Sequence, residues 1–282
     1  MLYRGKQGVL ATKHGKEAAL RRPICTALGM HLTVPLAFDT DKLGTFSGEI
    51  ERVGSAKDSA IRKARLGMAV TNLPYGFASE GSFGPHPLFP FAGIGHEIIV
   101  FVDDVLGIEV IESLVFERTN FQQTVVQPGD RLEDFLAKTG FPNHALIARP
   151  NVGKDPLPIM KGVQDIDELS TMINHLATQS EDGRVLLETD IRAHLNPTRM
   201  AAIRKLGFVL ARRIRTACPN CATPGFGRVG VERGLPCKSC GSPTNQVRVQ
   251  VDGCSRCGEQ IAAPRTDGLQ GADPGHSIHC NP

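Results

Sequence analysis

The stretch "GVLATKHGKEAALRRPICTALG", residues 8–29, decides how the chain begins to fold. Its apolar start predicts a buried strand, and the following residues predict a helix that ends at Gly29. Next, "HLTVPLAF" at 31–38 predicts a second strand. The segment "AKDSAIRKARLGMAVT" at 56–71 predicts a helix capped by Ser55. Alternating strands and helices are typical of an α/β domain.

The remaining pattern continues this alternation up to a sharp change of composition. A strand is predicted from residue 75 into the Gly-rich segment "YGFASEGSFGPHP", and "HEIIVFVDD" with "GIEVIESLVFERTN" predicts a hairpin. Asn196 and Pro197 mark the start of a basic last helix. Further helices are predicted at 131–140 and 165–179, and further strands at 144–150 and 183–190. Because the composition changes at Thr216, we predict an α/β domain at 1–215 and a tail at 216–282.

Composition limits the classes of function. The chain has 282 residues, 41% of them apolar, and a formal net charge of +3. This mild charge does not indicate a nucleic-acid or membrane partner. No apolar run reaches the roughly 18 residues of a membrane span, and the N-terminus lacks an apolar signal core. We therefore expect a soluble, cytoplasmic protein, and the sequence leaves a homo-oligomer open.

The tail holds seven of the eight cysteines. In a cytosolic protein such spacing favours metal over disulfides. Cys218–Cys221 and Cys237–Cys240 are two CxxC turns, and we predict that they complete one tetrahedral, structural Zn–S₄ site. Redox-active cysteines are the alternative interpretation. From Thr216 onward there are six Lys and Arg against five Asp and Glu, and this balance weakens a nucleic-acid role.

A third CxxC turn, Cys254–Cys257, needs partners from the segment "HSIHC". We favour a second zinc held by Cys254, Cys257, Cys280 and His276. His279 is a less favourable ligand, because it lies directly beside Cys280. A single zinc with an unused third turn remains the alternative.

Three polar stretches of the first domain predict a ligand site. Thr12, Lys13, His14 and Lys16 lie between a strand and a helix, where lysines beside a helix N-terminus suit a phosphate. Glu80 ends a strand beside glycines, which suits a cleft in an α/β sheet. Carboxylates of the type that hold Mg²⁺ surround the second helix start; these are Asp39, Asp41, Glu49, Glu51 and Asp58. Ordinary solvated turns are the alternative for each stretch.

The last helix begins with Thr198 and Arg199. A guanidinium presented from this rigid position can hydrogen-bond a base carbonyl or clamp a phosphate. The later basic residues are a solvated face or a contact to the tail. Just upstream, Glu188, Asp190 and Arg192 form an ion-pair network or line the cleft.

The order of motifs over residues 8–215 remotely resembles the inosine/xanthosine triphosphate pyrophosphatases and the Maf-like nucleotide pyrophosphatases. The segment "TKHGKE" is similar to their T-x-N-x-x-K phosphate loop, one residue shorter, with His14 for the Asn and Lys16 for the Lys. The segment "DSAIRKA" places Asp58 on a metal-binding Glu and Lys63 on a Lys, and "FASEG" offers Glu80. The hairpin and the pair Thr198-Arg199 follow in the family's order.

This resemblance implies a mixed-sheet, nucleotide pyrophosphatase-like α/β domain followed by a small zinc-ribbon tail. It implies Mg²⁺-dependent hydrolysis of a nucleotide phosphoanhydride, with Asp58, Glu80 and Lys16 as catalytic residues. The expected substrate-binding residues are Thr12, Lys13, His14, Ser79, Ser82, Thr198 and Arg199. The whole chain, through "ETDIRAHLNPTRM" and "CPNC…GLPCKSCGSPT", also resembles an uncharacterised bacterial family of unknown function.

Three functions compete on these observations. The first is a nucleotide hydrolase or transferase acting on a phosphorylated small molecule. The second is a non-catalytic nucleotide-sensing or protein-interaction module, which the shortened first loop favours. The third is a nucleic-acid-associated protein, against which the near-neutral tail argues.

Overall fold

The computed structural model describes residues 2–35, 54–85, 93–117, 119–154 and 156–282. Four of the carboxylates proposed above for Mg²⁺, Asp39, Asp41, Glu49 and Glu51, lie outside these described residues, as does the end of the predicted second strand.

A five-stranded mixed sheet forms the first part of the fold, which confirms an α/β architecture. Its strands are β1 (Gln7–Ala11), β2 (His31–Thr33), β3 (Tyr75–Pro85), β4 (Gly93–Asp103) and β5 (Ile108–Phe116). Their order is β2-β1-β3-β4-β5. Strand β1 is parallel to both β2 and β3, whereas β4 and β5 continue as the predicted antiparallel hairpin.

Helices cover both faces of this sheet. Helix α1 (Glu17–Leu28) ends at Gly29, as predicted, and Gly29 has the left-handed conformation. Helix α2 (Ala56–Thr71) begins with a capping box between Ser55 and Asp58. One core lies between the sheet and α1 with the last helix, residues 197–215, and a second core lies between the opposite face and α2.

A separate four-stranded sheet lies within residues 119–190. It contains β6 (Gln123–Val126), β7 (Leu146–Pro150), β8 (Met160–Val163) and β9 (Val185–Thr189), in the order β6-β9-β7-β8. All of its pairings are antiparallel. Helices α3 (Glu133–Thr139) and α4 (Ile166–Ala177) accompany it, and its apolar core is distinct from those of the first sheet.

Helix α5 (Pro197–Arg215) returns the chain to the first sheet, and the tail follows. The tail contains an antiparallel sheet of β10 (Gly227–Arg233), β11 (Val247–Gly253) and β12 (Gln260–Ala263). Arg213 ties the tail to the first sheet, because its guanidinium donates to the carbonyls of Gly225 (3.0 Å) and Ile111 (2.8 Å).

In the part of the chain that the structure describes, no helix combines the length and the apolar composition needed to cross a membrane.

Candidate functional site

The path of the first sheet reverses beside β1, and we refer to the region at the carboxyl end of β1, next to β3, as the crevice. From β1 the chain passes through α1 to β2 on one side, and then through α2 to β3 on the other side. Helices α1 and α2 lie on opposite faces, so a topological switch point lies at the carboxyl end of β1, beside residues 78–80 of β3, which continues to Pro85. Ligands of open α/β sheets bind at this kind of position.

Lys16, at the start of α1, places its ammonium at this position. Strand β1 ends at Ala11, opposite Ala78, so the carbonyl of Ser79 lies just beyond the last paired residue. The Lys16 ammonium donates to this carbonyl at 2.8 Å and is only 7% exposed. Burial, together with the nearby Arg199 guanidinium, lowers the pKa of Lys16 to about 8.

A buried ion pair lies on the α2 face of the sheet. Glu80 projects from β3 and pairs with the ammonium of Lys63 on α2. Glu80 is 2% exposed and Lys63 is 8% exposed. This pair therefore neutralises the carboxylate that was expected to bind Mg²⁺.

A second buried ion pair lies on the opposite face. The Arg199 Nε atom donates to Glu97 Oε1 at 2.5 Å, and its Nη1 atom donates to the Ile191 carbonyl at 2.5 Å. The Arg199 guanidinium also lies 5.2 Å from the centre of the Phe83 ring. Asn196 fixes the start of α5, because its side-chain oxygen accepts from the Arg199 amide at 2.9 Å.

The cluster of Lys16, Lys63, Glu80, Glu97 and Arg199 carries three cationic and two carboxylate side chains. The other four side chains all act electrostatically on Lys16. The excess positive charge suits an anionic ligand better than a metal cation.

Three buried oxygen atoms, one in this cluster and two on residues at the end of β1 and in β3, have no hydrogen-bond partner within the described residues. They are Thr12 Oγ1, Ser79 Oγ and Glu97 Oε2. Buried polar atoms normally take part in hydrogen bonds. Together with Lys16, these atoms offer hydrogen-bonding capacity to a small polar ligand.

The structure brings together five of the predicted cleft residues and separates the others. Thr12, Lys16, Ser79, Glu80 and Arg199 lie in or beside the buried cluster. The remaining five do not join it.

Asp58 caps α2: its carboxylate accepts from the Ser55 amide at 3.2 Å and from the Ser55 hydroxyl at 2.6 Å. Ser82 is exposed on β3. The Thr198 hydroxyl bonds His144 at 2.9 Å. Lys13 is exposed, and the His14 ring stacks on His194 at 5.4 Å.

The described residues do not fit the predicted magnesium site. Asp58 is engaged in the capping box and Glu80 in the ion pair with Lys63. In the described ranges, neither residue belongs to a group of three or more potential metal ligands. Mg²⁺ usually needs carboxylate oxygens free to coordinate it.

Sequence reasoning missed Glu97. It lies in the apolar strand "HEIIVFVDD", opposite Gly81 in the β3–β4 register, and is fully buried. A carboxylate within an apolar strand must find a buried partner. This feature of the sequence could have identified Glu97, although not Arg199 as its partner.

The tail brings its cysteines into two clusters. The first cluster contains Cys218, Cys221, Cys254 and Cys257, and the second cluster contains Cys237, Cys240 and Cys280. Both could hold zinc. In the first cluster, the Sγ atoms of Cys218 and Cys257 are 3.7 Å apart and those of Cys221 and Cys254 are 3.6 Å apart. A tetrahedral site with Zn–S bonds of about 2.3 Å requires about 3.8 Å between sulfurs.

The predicted pairing of the CxxC turns was wrong. We expected the first and second turns to share one metal, but the structure pairs the first turn with the third. The reason is the hairpin of β10 and β11, in which Gly227 lies opposite Gly253. This pairing brings the turn before β10 to the turn after β11, and leaves the second turn at the opposite end.

Strand β12 then carries the chain back toward the second turn. A parallel bridge between Cys237 and Ala272 places the last residues beside Cys240. Cys280 therefore joins the second turn instead of the third. Among the described residues, His276 and His279 belong to neither cluster, which contradicts the expected ligand role of His276.

A family model described as a domain of unknown function, DUF6671, matches residues 63–282. The matched region includes Lys63, Glu80, Glu97, Arg199 and both cysteine clusters. A search of curated proteins found no match to the chain. Because the family model covers most of the sequence, the chain belongs to the DUF6671 family.

Proposed function

We propose that residues 2–215 form a nucleotide-processing enzyme that binds a phosphorylated small molecule in the crevice between β1 and β3. The observation that carries the proposal is the buried ammonium of Lys16 at the topological switch point. A lysine held in a dry site can bind phosphate oxygens strongly, because little water screens its charge. The hydroxyls of Thr12 and Ser79 add short-range hydrogen bonds.

The proposed reaction is hydrolysis of a phosphoanhydride. Glu97 accepts the proton of the attacking water through Oε2, the oxygen that has no hydrogen-bond partner within the described residues. As water bonds to phosphorus, the bond to the leaving phosphate oxygen breaks. Lys16 stabilises the negative charge that develops on the phosphate oxygens.

Arg199 is a positioning residue in this scheme. Its side chain is fully buried and donates to Glu97 and to the Ile191 carbonyl. It therefore fixes the orientation of Glu97. It does not contact the nucleobase of the substrate, although such a contact is the role expected from the sequence. A general base that a third group holds in a fixed orientation is the usual arrangement for activating a nucleophile.

The tail is proposed to be a zinc-binding module with a structural role. Four cysteines of the first cluster would fill a tetrahedral zinc completely, leaving no position for substrate. The contacts of Arg213 connect this module to the first sheet.

The test is a screen of the full-length, zinc-loaded protein against normal and deaminated nucleoside mono-, di- and triphosphates, with and without Mg²⁺. Thermal stabilisation and release of phosphate or pyrophosphate are measured in parallel. We expect one nucleotide class to stabilise the protein and to be hydrolysed.

Two variants locate the activity. Lys16→Met should lower kcat/KM by about 100-fold or more, because the buried charge is lost. Lys6→Met is the matched control, since Lys6 is exposed just before the opposite end of β1. Stabilisation without hydrolysis would favour the sensing module instead. Equal activity of Lys16→Met and Lys6→Met would contradict the proposed site.

A further inference from the structure

Residues 277–280 of the tail repeat the pattern of the three CxxC turns. The turns read "CPNC", "CKSC" and "CSRC", and residues 277–280 read "SIHC". In each CxxC turn the first cysteine is buried and the second is exposed. Ser277 is likewise buried, at 1% exposure, and Cys280 is exposed. Ser277 thus occupies the position of a first cysteine.

The backbone of this segment has the hydrogen bonds of a cysteine turn. In the second turn, the Gly241 amide donates to the Cys237 carbonyl at 2.9 Å. In residues 277–281, the Asn281 amide donates to the Ser277 carbonyl at 2.8 Å. Both bonds join residues four apart, so the two segments close in the same way.

The side chain of Ser277 also accepts a hydrogen bond from a backbone amide, as the cysteine sulfurs do. The Cys237 Sγ atom accepts from the Ser239 amide at 3.4 Å, two residues later. The Ser277 Oγ atom accepts from the His279 amide, also two residues later, at 3.3 Å. Such amide bonds orient a ligand atom toward the interior of the turn.

The distances of the second cluster match a metal site that includes Ser277. The Sγ atoms of Cys237 and Cys280 are 3.9 Å apart, near the tetrahedral value of about 3.8 Å. Cys240 Sγ lies 3.3 Å from Ser277 Oγ. An oxygen bound at about 2.0 Å and a sulfur bound at about 2.3 Å would be about 3.5 Å apart.

We propose that the second cluster is a zinc site held by three thiolates, Cys237, Cys240 and Cys280, with the Ser277 hydroxyl in the fourth position. His276 and His279 do not coordinate the metal. This inference concerns the tail alone and does not depend on the proposed activity of the crevice.

The proposed ligand set makes the two zinc sites unequal. A neutral hydroxyl is a weaker ligand than a thiolate, and water can replace it, as in sites that keep one exchangeable position. The first cluster has four thiolates and no such position. The second site should therefore release zinc to a chelator faster than the first.

The test measures zinc content and chelator-driven zinc release of the full-length protein. We expect two equivalents of zinc, one released quickly and one slowly. Ser277→Cys adds a fourth thiolate and should slow the fast phase by about tenfold or more. With cobalt in place of zinc, the same variant should gain sulfur-to-metal charge-transfer absorption.

His276→Ala and His279→Ala are the matched controls, since they alter the same segment and should leave both phases unchanged. Ser277→Ala should speed the fast phase, and this provides a second check if Ser277→Cys fails to fold. Loss of one zinc in either histidine variant would overturn the proposal. So would a total of one zinc, or a fast phase that is the same in wild type and Ser277→Ala.

Discussion

Burial of the charged Lys16 side chain lowers the stability of the folded protein. Its pKa is about 8 in the folded protein, against 10.5 when unperturbed. Between pH 8 and pH 10.5 the unfolded chain binds more protons than the folded chain. The free energy of unfolding therefore rises as pH increases through this window. At neutral pH the cost is on the order of 3 kcal/mol. A cost of this size at a crevice indicates a functional group.

Lys16→Met should remove this cost. The variant is expected to gain stability relative to wild type at pH 7, and the gain should shrink as pH rises from 8 toward 10.5. Urea unfolding at several pH values measures the difference. Lys6→Met, which removes an exposed lysine just before β1, should show no such trend. A difference between Lys16→Met and wild type that is independent of pH would contradict the burial of the charge.

Gly81 leaves room for the ion pair of Glu97 and Arg199. A Cβ atom at residue 81 would lie 2.6 Å from Arg199 Nη2 and would overlap the Glu97 carboxylate. Gly81→Ala should therefore cost about 1–3 kcal/mol in unfolding free energy. Gly84→Ala is the control in the same strand, because nothing lies within 4 Å of its added Cβ. Equal losses in the two variants would show that crowding at the ion pair is not the cause.

At the scale of elements, the pair of Lys63 and Glu80 joins α2 to β3 through a buried contact. Removal of one partner leaves an uncompensated buried charge, whereas removal of both does not. Lys63→Met and Glu80→Met should each cost about 3–5 kcal/mol, and the double variant should cost less than their sum. Denaturant unfolding of the four proteins completes the double-mutant cycle.

The exposed pair of Arg65, on the same helix, and Asp104, in the turn after β4, is the control for this cycle. Its atoms are 3.0 Å apart, but the side chains are 48% and 51% exposed. Its coupling energy should stay below about 1 kcal/mol. A coupling between Lys63 and Glu80 no larger than that of the exposed pair would contradict a buried link between α2 and β3.

Helix ends were predictable because local chemistry determines them. Ser55, Asn196 and Gly29 each act at the helix boundary where the sequence placed them. Strands β6 and β8 were not predicted. Each has only four residues, which is too few to show the alternation of apolar and polar residues that identifies a strand.

The candidate site was predictable where it depends on local motifs. Lys16 follows a strand and opens a helix, and Glu80 ends an apolar run beside glycine, so both were identified. The role of Glu97 depends on the β3–β4 register and on the return of α5, which are long-range features. The pairing of cysteine turns likewise depends on the β10–β11 hairpin and not on spacing alone.

At the scale of the whole molecule, the tail is held together by interleaved cysteine clusters. The first and third turns meet at one end of the hairpin, and the second turn meets Cys280 at the other. Cys240→Ser/Cys280→Ser should therefore lose one zinc, and Cys221→Ser/Cys240→Ser should lose both. Metal analysis of the purified full-length variants measures this. A sequential pairing of turns would give the reverse result.

The most direct test of the proposed function asks where a nucleotide binds on the whole chain. Hydrogen exchange is measured with and without the nucleotide that stabilises the protein most, on wild type and on Lys16→Met. The crevice predicts slower exchange at residues 8–20 and 75–84, lost in the variant, with no change at 247–263. Protection confined to residues 216–282, or protection that persists in Lys16→Met, would contradict a ligand site between β1 and β3.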